Sequence, residues 1–258
     1  MGEIDTSDRY RAPALDKGLD ILELLATTVE GLSQAEIAKA LDRSPNEIYR
    51  MLDRLVRRHY VSRTPEDRYE LTLKLFALAH ERPPIRRLVS LAMPVMRRLA
   101  RAADQAFHIV VYDRGDLVVV AQADSPGYWS VSIRVGSRIG LLNTGSGHVL
   151  MAFASAAERA LMLEEHEMLP EELAPPEFEE RLNLVRAQGY EAMQSQQTEG
   201  VLNISVPILG PNGSVIAVLT SPYIRRLDTS RPPSPEQVVR LMLAASREIS
   251  KPAGDLPS

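Results

Sequence analysis

The chain has 258 residues, of which 45% are apolar and 25% charged, and its formal net charge at pH 7 is −4. This is the composition of a globular protein long enough for two domains. No apolar run approaches the ~20 residues that a membrane helix needs, and the lack of cysteine excludes disulfides, thiolate metal sites and cysteine nucleophiles. Because MGEIDTSDRY lacks the apolar core of a signal peptide, we expect a cytoplasmic protein.

The first two predicted helices lie before residue 42. Over residues 14–26, apolar side chains recur with a helical period at positions 15, 19, 22, 25 and 26. The second helix begins after Ser33, which forms a capping box with Glu36, and it ends near Leu41. The first helix can pack across the second and a third, which completes a three-helix core.

The third predicted helix carries the most functional information. It begins after Ser44, with Pro45 at its first position and Glu47 at its third, where a proline and an acid are favoured. Its apolar stripe consists of Ile48, Leu52 and Leu55, with Met51 and Val56 beside them. The opposite face is polar and holds Asn46, Tyr49, Arg50, Arg54 and Arg57. Two helices joined by a tight turn place the second one in the major groove of DNA.

Positive charge is concentrated around this helix although the whole chain is acidic. Residues 43–63 contain two acids and six arginines, namely Arg43, Arg50, Arg54, Arg57, Arg58 and Arg63. Any solvated amphipathic helix shows a similar interleaving of arginine and apolar residues, so the charge alone leaves both interpretations open. The two capped helices in tandem favour a DNA-binding surface.

A β-hairpin is predicted directly after the third helix. Residues 60–63 and 68–71 flank a turn-forming tetrapeptide at 64–67, which completes a winged helix-turn-helix. On this wing Arg63 and Arg68 are expected to contact phosphates or the minor groove. The same is expected of Arg9 and Arg11 in the N-terminal arm.

The second half of the chain alternates strand hairpins with helices, which describes an antiparallel sheet with helices packed on it. Residues 84–103 are predicted to form a linker helix, in which Pro94 either introduces a kink or begins a second helix. The further predicted elements are a hairpin over 107–121, a third strand over 129–135, helices over 146–165 and 177–188, a hairpin over 201–220 and a closing helix over 235–249.

Several segments resemble one protein family. ALDKGLDILELLA, LSQAEIAKALDRSPNEIYRMLDRLVRRHYV and RYELTLKLFALA are similar to the DNA-binding half of the IclR family of bacterial transcriptional regulators. VGSRIGLLNTGSGHVLMAF and GYEAMQSQQTEGVLNISVPILGPNGSVIAVLTSP are similar to its effector-binding half. The resemblance covers about residues 14–249 and depends on the order and spacing of these segments.

The resemblance implies an α+β fold of two domains: an N-terminal winged helix-turn-helix, a linker helix and a C-terminal GAF-like antiparallel sheet with helices that binds a small molecule. The predicted boundaries are a flexible N-terminal arm at 1–12, the winged helix-turn-helix at 13–80, the linker helix at 81–103, the GAF-like effector domain at 104–250 and a flexible tail at 251–258.

The stretch GLLNTGSGH at 140–148 is a candidate effector loop, because exposed N–H groups at a helix start attract carboxylate or phosphate. The alternative is a connecting loop whose small residues allow close packing. The resemblance implies effector contacts from Gly145, Ser146 and Thr220, and from Asn203 where the family often has cysteine.

Six further residues bear on the predicted effector site. Met193 and Gln196 stand where many members carry acids, and Pro222 replaces a frequent serine, so the family's small-acid pattern is not intact. Trp129, with Tyr128 and Phe107, is either an aromatic wall of the pocket or simply core. The predicted effector-binding residues are Trp129, Leu142, Asn143, Thr144, Gly145, Ser146, Met193, Asn203 and Thr220.

Catalysis is not expected. Gly145-Ser146-Gly147 is a small-residue run and lacks the Gly-x-Ser-x-Gly pattern of a nucleophile elbow. His166 has no second ligand at i+4, so a solvated helix end is preferred to a zinc site. No phosphate-cradling glycine motif occurs, and neither a metal nor a cofactor is predicted.

The predicted function is a repressor or activator whose binding to DNA is controlled by a carboxylate or an aromatic metabolite. The resemblance implies homodimers on a palindromic operator, with tetramers left open. The alternative is a metabolite-binding enzyme that carries a winged helix as an interaction module. Asn46, Tyr49 and Arg50 are the base-contact candidates, although Arg50 has phosphate as an equal alternative. The other predicted DNA-binding residues are Ser44 and Glu47 at the helix start and, for phosphate, Arg43, Arg54, Arg57, Arg63 and Arg68.

Overall fold

The computed structural model describes residues 12–81, 83–128, 130–227 and 233–251. They form two compact units, of which the first ends at Pro83 and the second begins at Pro84. Trp129 and the arm that carries Arg9 and Arg11 lie outside the described residues. No helix within the described ranges is both long and apolar enough to cross a bilayer.

The N-terminal unit is a winged helix-turn-helix, as the sequence predicts. Its helices are α1 (Pro13–Ala26), α2 (Gln34–Ala40), α3 (Pro45–Arg57) and α4 (Lys74–Glu81). Strands β2 (Val61–Arg63) and β3 (Arg68–Leu71) form the predicted hairpin, and a short β1 (Leu32–Ser33) that was not predicted pairs with β3. The sheet order is β1-β3-β2.

The buried face of α1 matches the predicted one only in part. Leu25 joins the core of this unit as predicted, but Ile21 joins it too, and Leu15 and Leu19 are 61% and 46% exposed. In that core Ile21 and Leu25 meet Ile48 and Leu52 of α3 together with residues of α2, β2 and β3. A helical period defines a stripe only approximately, and the packing partners select which edge of the stripe is buried.

The C-terminal unit contains one antiparallel sheet of six strands in the order β6-β5-β4-β9-β8-β7. The strands are β4 (Phe107–Asp113), β5 (Asp116–Ala123), β6 (Arg138–Ile139), β7 (Glu191–Gln194), β8 (Leu202–Leu209) and β9 (Val215–Tyr223). The helices are α5 (Pro83–Ala103), α6 (Gly145–Phe153), α7 (Ala156–Glu165), α8 (Phe178–Gln188) and α9 (Pro235–Ser250).

Each face of this sheet has its own core. On one face α5 and α9 pack against alternate residues such as Phe107, Ile109 and Leu219. On the other face α6, α7 and α8 pack against Val110 and Val218. The period of two along a strand therefore directs His108 and Thr220 toward the α6 side.

Three sequence-based expectations for this unit are corrected. Residues 130–135 form no strand, and β6 begins only at Arg138, where it pairs with β5 over two residues. The helical stretch 146–165 is two helices, because Ser155 begins α7 with its own capping box. Pro94 lies inside one uninterrupted helix, α5, so it does not begin a second one.

Candidate DNA interface and ligand cavity

The start of α3 is fixed by its own side chains. The Ser44 N–H donates to Glu47 Oε2 at 3.2 Å, and the Glu47 N–H donates to Ser44 Oγ at 3.4 Å. Lys17 of α1 donates to Glu47 Oε1 at 2.5 Å. The bond from Lys17 and the bonds from Ser44 lower the pKa of Glu47 to about 2, so its carboxylate stays charged and joins α3 to α1. Ser44 and Glu47 thus hold the helix in place.

The polar face of α3 is exposed. Ile48 and Leu52 are completely buried on one side, whereas Tyr49 is 55% exposed on the other. Exposed side chains that share this outer face or lie next to it are Arg43, Asn46, Arg50, Arg54 and Arg57. Because this positively charged face of α3 is exposed, the helix can approach a DNA duplex without a rearrangement of the core of the N-terminal unit.

The arginines of this surface differ in how firmly they are held. The Arg57 Nε donates to both carboxylate oxygens of Asp53, at 3.0 and 2.9 Å. Within the described part of the chain, the side chains of Arg43, Arg50 and Arg54 form neither a hydrogen bond nor an ion pair. These three guanidinium groups are therefore the most available for phosphate or base edges.

The two arginines of the wing have different surroundings. Arg63 is exposed, pairs with Asp67 at 2.5 Å and lies 5.9 Å from the centre of the Tyr69 ring. Arg68 points back into the unit, where it donates to the carbonyl oxygens of Glu30 and Gly31, both at 3.0 Å. Arg68 thereby holds the chain before β1 against the hairpin, which leaves Arg63 as the outward-facing cation of the wing.

A cavity of about 660 Å³ opens in the C-terminal unit on the α6 side of the sheet. Its walls come from the loop after β5, the start of α6, the loop before α8, the turn after β7 and the strands β4, β6, β8 and β9. The lining residues are His108, Val131, Ser132, Ile133, Arg138, Ile139, Gly140, Asn143, Thr144, Gly145, Ser146, Leu169, Pro170, Glu171, Ser195, Gln196, Gln197, Thr198, Val201, Asn203, Thr220 and Pro222.

Buried hydroxyl groups form part of the cavity floor. Thr220 Oγ1 lies 2.8 Å from Ser146 Oγ and 2.8 Å from Ser205 Oγ. Because a threonine hydroxyl has one proton and two lone pairs, it can donate to one serine and accept from the other. This chain of bonds joins α6 to the neighbouring strands β8 and β9.

The start of α6, which lines the cavity, is capped by a side chain. Thr144 caps α6, because its Oγ1 accepts from the Gly147 N–H at 3.1 Å and donates to the Gly140 oxygen at 2.6 Å. The N–H groups of Gly145 and Ser146, at the first two helical positions, have no acceptor within the helix. Positive helix-end potential is therefore directed at a site with room for a ligand.

Two buried polar atoms at the cavity lack a partner among the described residues: His108 Nδ1 and Asn143 Oδ1. His108 is 1% exposed, and burial lowers its pKa to about 4, so the ring is neutral at pH 7. Buried polar groups in proteins are almost always hydrogen-bonded, and an exception calls for an explanation, such as a bound water or ligand. Both atoms belong to residues that line the cavity.

A buried carboxylate holds the outer loops of the cavity. Glu172 accepts from the backbone N–H of Leu142 at 2.7 Å and of Leu169 at 2.9 Å, and His166 Nε2 lies 3.0 Å from it. Burial by itself raises the pKa of Glu172, but these donors outweigh it and the pKa is lowered. The expectation of a solvated His166 is wrong, since its side chain is 3% exposed and its Nδ1 lies 2.7 Å from the Gly115 oxygen.

A second buried carboxylate lies behind α6. Glu191 receives Arg181 through two bonds of 2.8 and 2.9 Å, and His148 Nδ1 lies 3.1 Å from it. The other ring nitrogen of His148 lies 2.9 Å from the Leu142 oxygen. Both nitrogens of His148 contact groups other than Ser146. His148 therefore cannot act as the base that activates Ser146 as a nucleophile.

The nine predicted effector residues fall into three groups. Trp129 is outside the described residues, and Met193 is buried on β7 without lining the cavity. Leu142 contributes its peptide group to the network of Glu172 and His148 and does not line the cavity either. The six that line it are Asn143, Thr144, Gly145, Ser146, Asn203 and Thr220.

Sequence reasoning missed His108. The alternation in β4 could have revealed it, since Phe107 and Ile109 are apolar and belong to the opposite face of the sheet. Its importance depends on pairing with Thr220 in β9, which lies more than one hundred residues further along the chain. No local pattern predicts that pairing.

A winged helix-turn-helix with an exposed arginine face, followed in one chain by a sheet unit with a cavity lined by polar and apolar side chains, is typical of a DNA-binding regulator with a ligand-binding domain. The comparisons with known proteins agree. The family model "IclR helix-turn-helix domain" matches residues 14–65, and "Bacterial transcriptional regulator IclR C-terminal" matches residues 85–251. The chain belongs to the IclR family of bacterial transcriptional regulators.

Relatives with known roles are transcriptional regulators rather than enzymes. The HTH-type transcriptional regulator KdgR of Dickeya chrysanthemi is 30% identical over 250 residues, which cover 92% of this chain and 79% of KdgR. The HTH-type transcriptional regulator BhcR of Paracoccus denitrificans is 28% identical over 259 residues, which cover 96% of this chain and 90% of BhcR.

Solved structures show the same fold. The IclR protein of Thermotoga maritima has a TM-score of 0.74 at 22% identity and covers 92% of this chain and 96% of its own. An IclR homolog from Microbacterium hydrocarbonoxydans, complexed with 4-hydroxybenzoate, has a TM-score of 0.74 at 21% identity, with coverages of 92% and 97%. The two-domain α+β fold is therefore that of the family.

Proposed function

We propose that this regulator acts in the bacterial cytoplasm as a homodimer that binds a palindromic operator through α3. The observation that carries the proposal is the exposed face of α3, on which the side chains of Arg50 and Arg54 have no partner within the described residues, while Ile48 and Leu52 on the opposite face are completely buried. One such helix reads only a few base pairs, so two copies related by a two-fold axis provide the length of site that specific regulation needs.

The residues of the interface divide by their position on α3. Asn46, Tyr49 and Arg50 lie in the first half of the helix, where recognition helices contact base edges. Arg43, Arg54, Arg57 and, on the wing, Arg63 flank them and are suited to phosphates. For Arg50 both roles are open. If Arg50 contacts a base, substituting it should weaken binding to some sequences more than to others, whereas if it contacts a phosphate, the substitution should weaken binding to every duplex about equally.

Selection from a random library of duplexes tests the dimer and its operator together. We expect the full-length protein to enrich a sequence with two-fold symmetry whose half-sites are centred about 10 base pairs, or a multiple of that, apart. Retardation of the selected duplex should fall steeply as salt is raised, because phosphate neutralisation releases counterions. Enrichment of a single unrepeated half-site would contradict the homodimer.

The effector is proposed to be a small carboxylic acid, aromatic or hydroxylated, bound in the 660 Å³ cavity. Three features support this: the N–H groups of Gly145 and Ser146, which have no acceptor within α6, apolar walls that include Ile133 and Ile139, and the atoms of His108 and Asn143 that have no partner among the described residues. The complex of the Microbacterium hydrocarbonoxydans IclR homolog with 4-hydroxybenzoate, an aromatic hydroxy acid, is consistent with this class of effector. The effector must bind the DNA-bound and the free conformations unequally in order to change operator occupancy.

Thermal unfolding with a panel of acids tests the cavity. The panel contains 4-hydroxybenzoate, benzoate, lactate, propionate and pyruvate. An acid at 100 times its Kd should raise the unfolding midpoint of the wild type by about 5–10 °C. Asn143→Leu, in the cavity wall, should reduce that rise, whereas Asn183→Leu on the exposed side of α8 should leave it unchanged. If no acid of the panel raises the midpoint, the proposed ligand class is wrong.

A further inference from the structure

His108 occupies an unusual position for a polar side chain. It lies within β4, between β5 and β9, and it pairs with Gln122 on one side and Thr220 on the other. The side chain is 1% exposed and forms part of the cavity wall. The ring therefore belongs both to the closed interior of the sheet and to the surface that a ligand would contact.

An apolar residue would suit this strand position better for stability alone. Val110 and Val218, which face the same side of the sheet, are completely buried and apolar. His108 instead places Nδ1 in the interior without a hydrogen-bond partner in the described part of the chain. Leaving a buried nitrogen unpaired is unfavourable, so the position is better explained by a molecule that completes it.

The groups around His108 restrict what that molecule offers. The ring is neutral, because burial lowers its pKa to about 4. A neutral imidazole has one N–H donor and one acceptor nitrogen, which suits a hydroxyl or carbonyl oxygen. The cation of the cavity wall, Arg138, is paired with Asp116, and the N–H groups that suit a carboxylate lie at Gly145 and Ser146.

His108 and the start of α6 are connected across the cavity floor. Thr220, the neighbour of His108 on β9, is hydrogen-bonded to Ser146 Oγ at 2.8 Å. The floor therefore carries two kinds of polar feature side by side: helix-end N–H groups and an imidazole nitrogen. A ligand that satisfies both has a carboxylate and a second oxygen.

We propose that His108 is the specificity-determining residue of the cavity and that it hydrogen-bonds a hydroxyl or carbonyl oxygen of the acid effector, thereby selecting hydroxylated acids over their unsubstituted counterparts. The inference rests on the proposed acid-binding function of the same cavity. It goes further in assigning the second polar group of the ligand to one named side chain.

Calorimetric titration with matched acids tests the assignment. The pairs are 4-hydroxybenzoate with benzoate and lactate with propionate, which differ in one hydroxyl group. The wild type should bind the hydroxylated member of at least one pair about tenfold more tightly. His108→Phe should bring that ratio close to one while binding of the unsubstituted acid persists. His108→Asn, which keeps a hydrogen-bonding group, should restore part of the preference.

A spectroscopic measurement separates recognition from a structural role and remains valid if His108→Phe does not fold. Proteins labelled with ¹⁵N-histidine are compared as wild type and His108→Asn, which identifies the ring signals of His108. Addition of the hydroxylated acid should shift the Nδ1 signal of His108, and addition of its partner should shift it much less. Equal shifts, or none, would overturn the assignment.

The outcomes distinguish the two proposals. If none of the four acids binds the wild type, both the acid-binding cavity and the role of His108 are wrong. If acids bind but His108→Phe keeps the wild-type ratio, the cavity stands and only the role of His108 is wrong. Loss of the ratio in His108→Phe with partial recovery in His108→Asn supports the assignment.

Discussion

Replacing Glu172 with alanine should lower the free energy of unfolding of the C-terminal unit by about 3–5 kcal/mol. The side chain is 0% exposed, and its carboxylate accepts from two backbone N–H groups and lies 3.0 Å from His166 Nε2. Its removal leaves these partly or fully buried donors without an acceptor. The free energy of unfolding then falls by the desolvation penalty of the donors as well as by the contribution of the lost hydrogen bonds. Urea unfolding followed by circular dichroism measures the change.

The neighbouring Glu171 provides a matched control. Its side chain is exposed at the cavity mouth, so Glu171→Ala should change the free energy of unfolding by less than about 0.5 kcal/mol. Glu172→Ala should also lose affinity for any acid that binds the wild type. Glu172 holds the backbone of Leu142, which is next to the lining residue Asn143, and of Leu169, which itself lines the cavity. Equal stability of the two variants would show that the Glu172 network does not hold these loops.

Gly147→Ala is expected to destabilise the C-terminal unit by about 3 kcal/mol, because there is no space for a side chain at this position. A Cβ atom at Gly147 would lie 1.9 Å from the carbonyl oxygen of Leu141 and 2.6 Å from its carbon. Both are backbone atoms, so the loop that carries Asn143 and Thr144 would have to move. Calorimetric unfolding of the variant beside the wild type measures the loss.

Gly18→Ala is the control for the glycine substitution. Gly18 lies in α1, and a Cβ atom there would meet nothing within 4 Å. Alanine is favoured over glycine inside helices, so this variant should gain about 0.5–1 kcal/mol in the N-terminal unit. A Gly147→Ala protein that unfolds at the wild-type midpoint would mean that the loop and α6 are not packed as described.

The N-terminal unit was largely predictable because its signals are local. Ser33 with Glu36, and Ser44 with Glu47, each lie within one helical turn and determine where α2 and α3 begin. The orientation of α3 follows from its own sequence, since the stripe around Ile48 and Leu52 is separated from the arginines by half a turn. The burial of α1 was less predictable, because other elements decide whether Leu19 or Ile21 is covered.

The cavity was predictable only where a short motif builds it. The run from Gly140 to His148 indicated a loop that leads into a helix start, and Gly140 and residues 143–146 of this run line the cavity. The contacts of His166 could not be predicted, because one partner, Gly115, lies 51 residues earlier in the chain. The alternation over 129–135 suggested a strand, but alternation does not reveal whether a neighbouring strand edge is available for pairing.

Affinity for the selected duplex at one fixed salt concentration tests the central claim, that the exposed face of α3 binds DNA. Arg50→Ala combined with Arg54→Ala removes two outward-facing cations from this face. Arg240→Ala combined with Arg247→Ala removes two exposed cations from α9, so this variant has the same net charge as the α3 variant. We predict that the α3 variant binds about 100-fold more weakly than the wild type, and that the α9 variant stays within about threefold. Wild-type affinity in the α3 variant, or an equal loss in both variants, would contradict the claim.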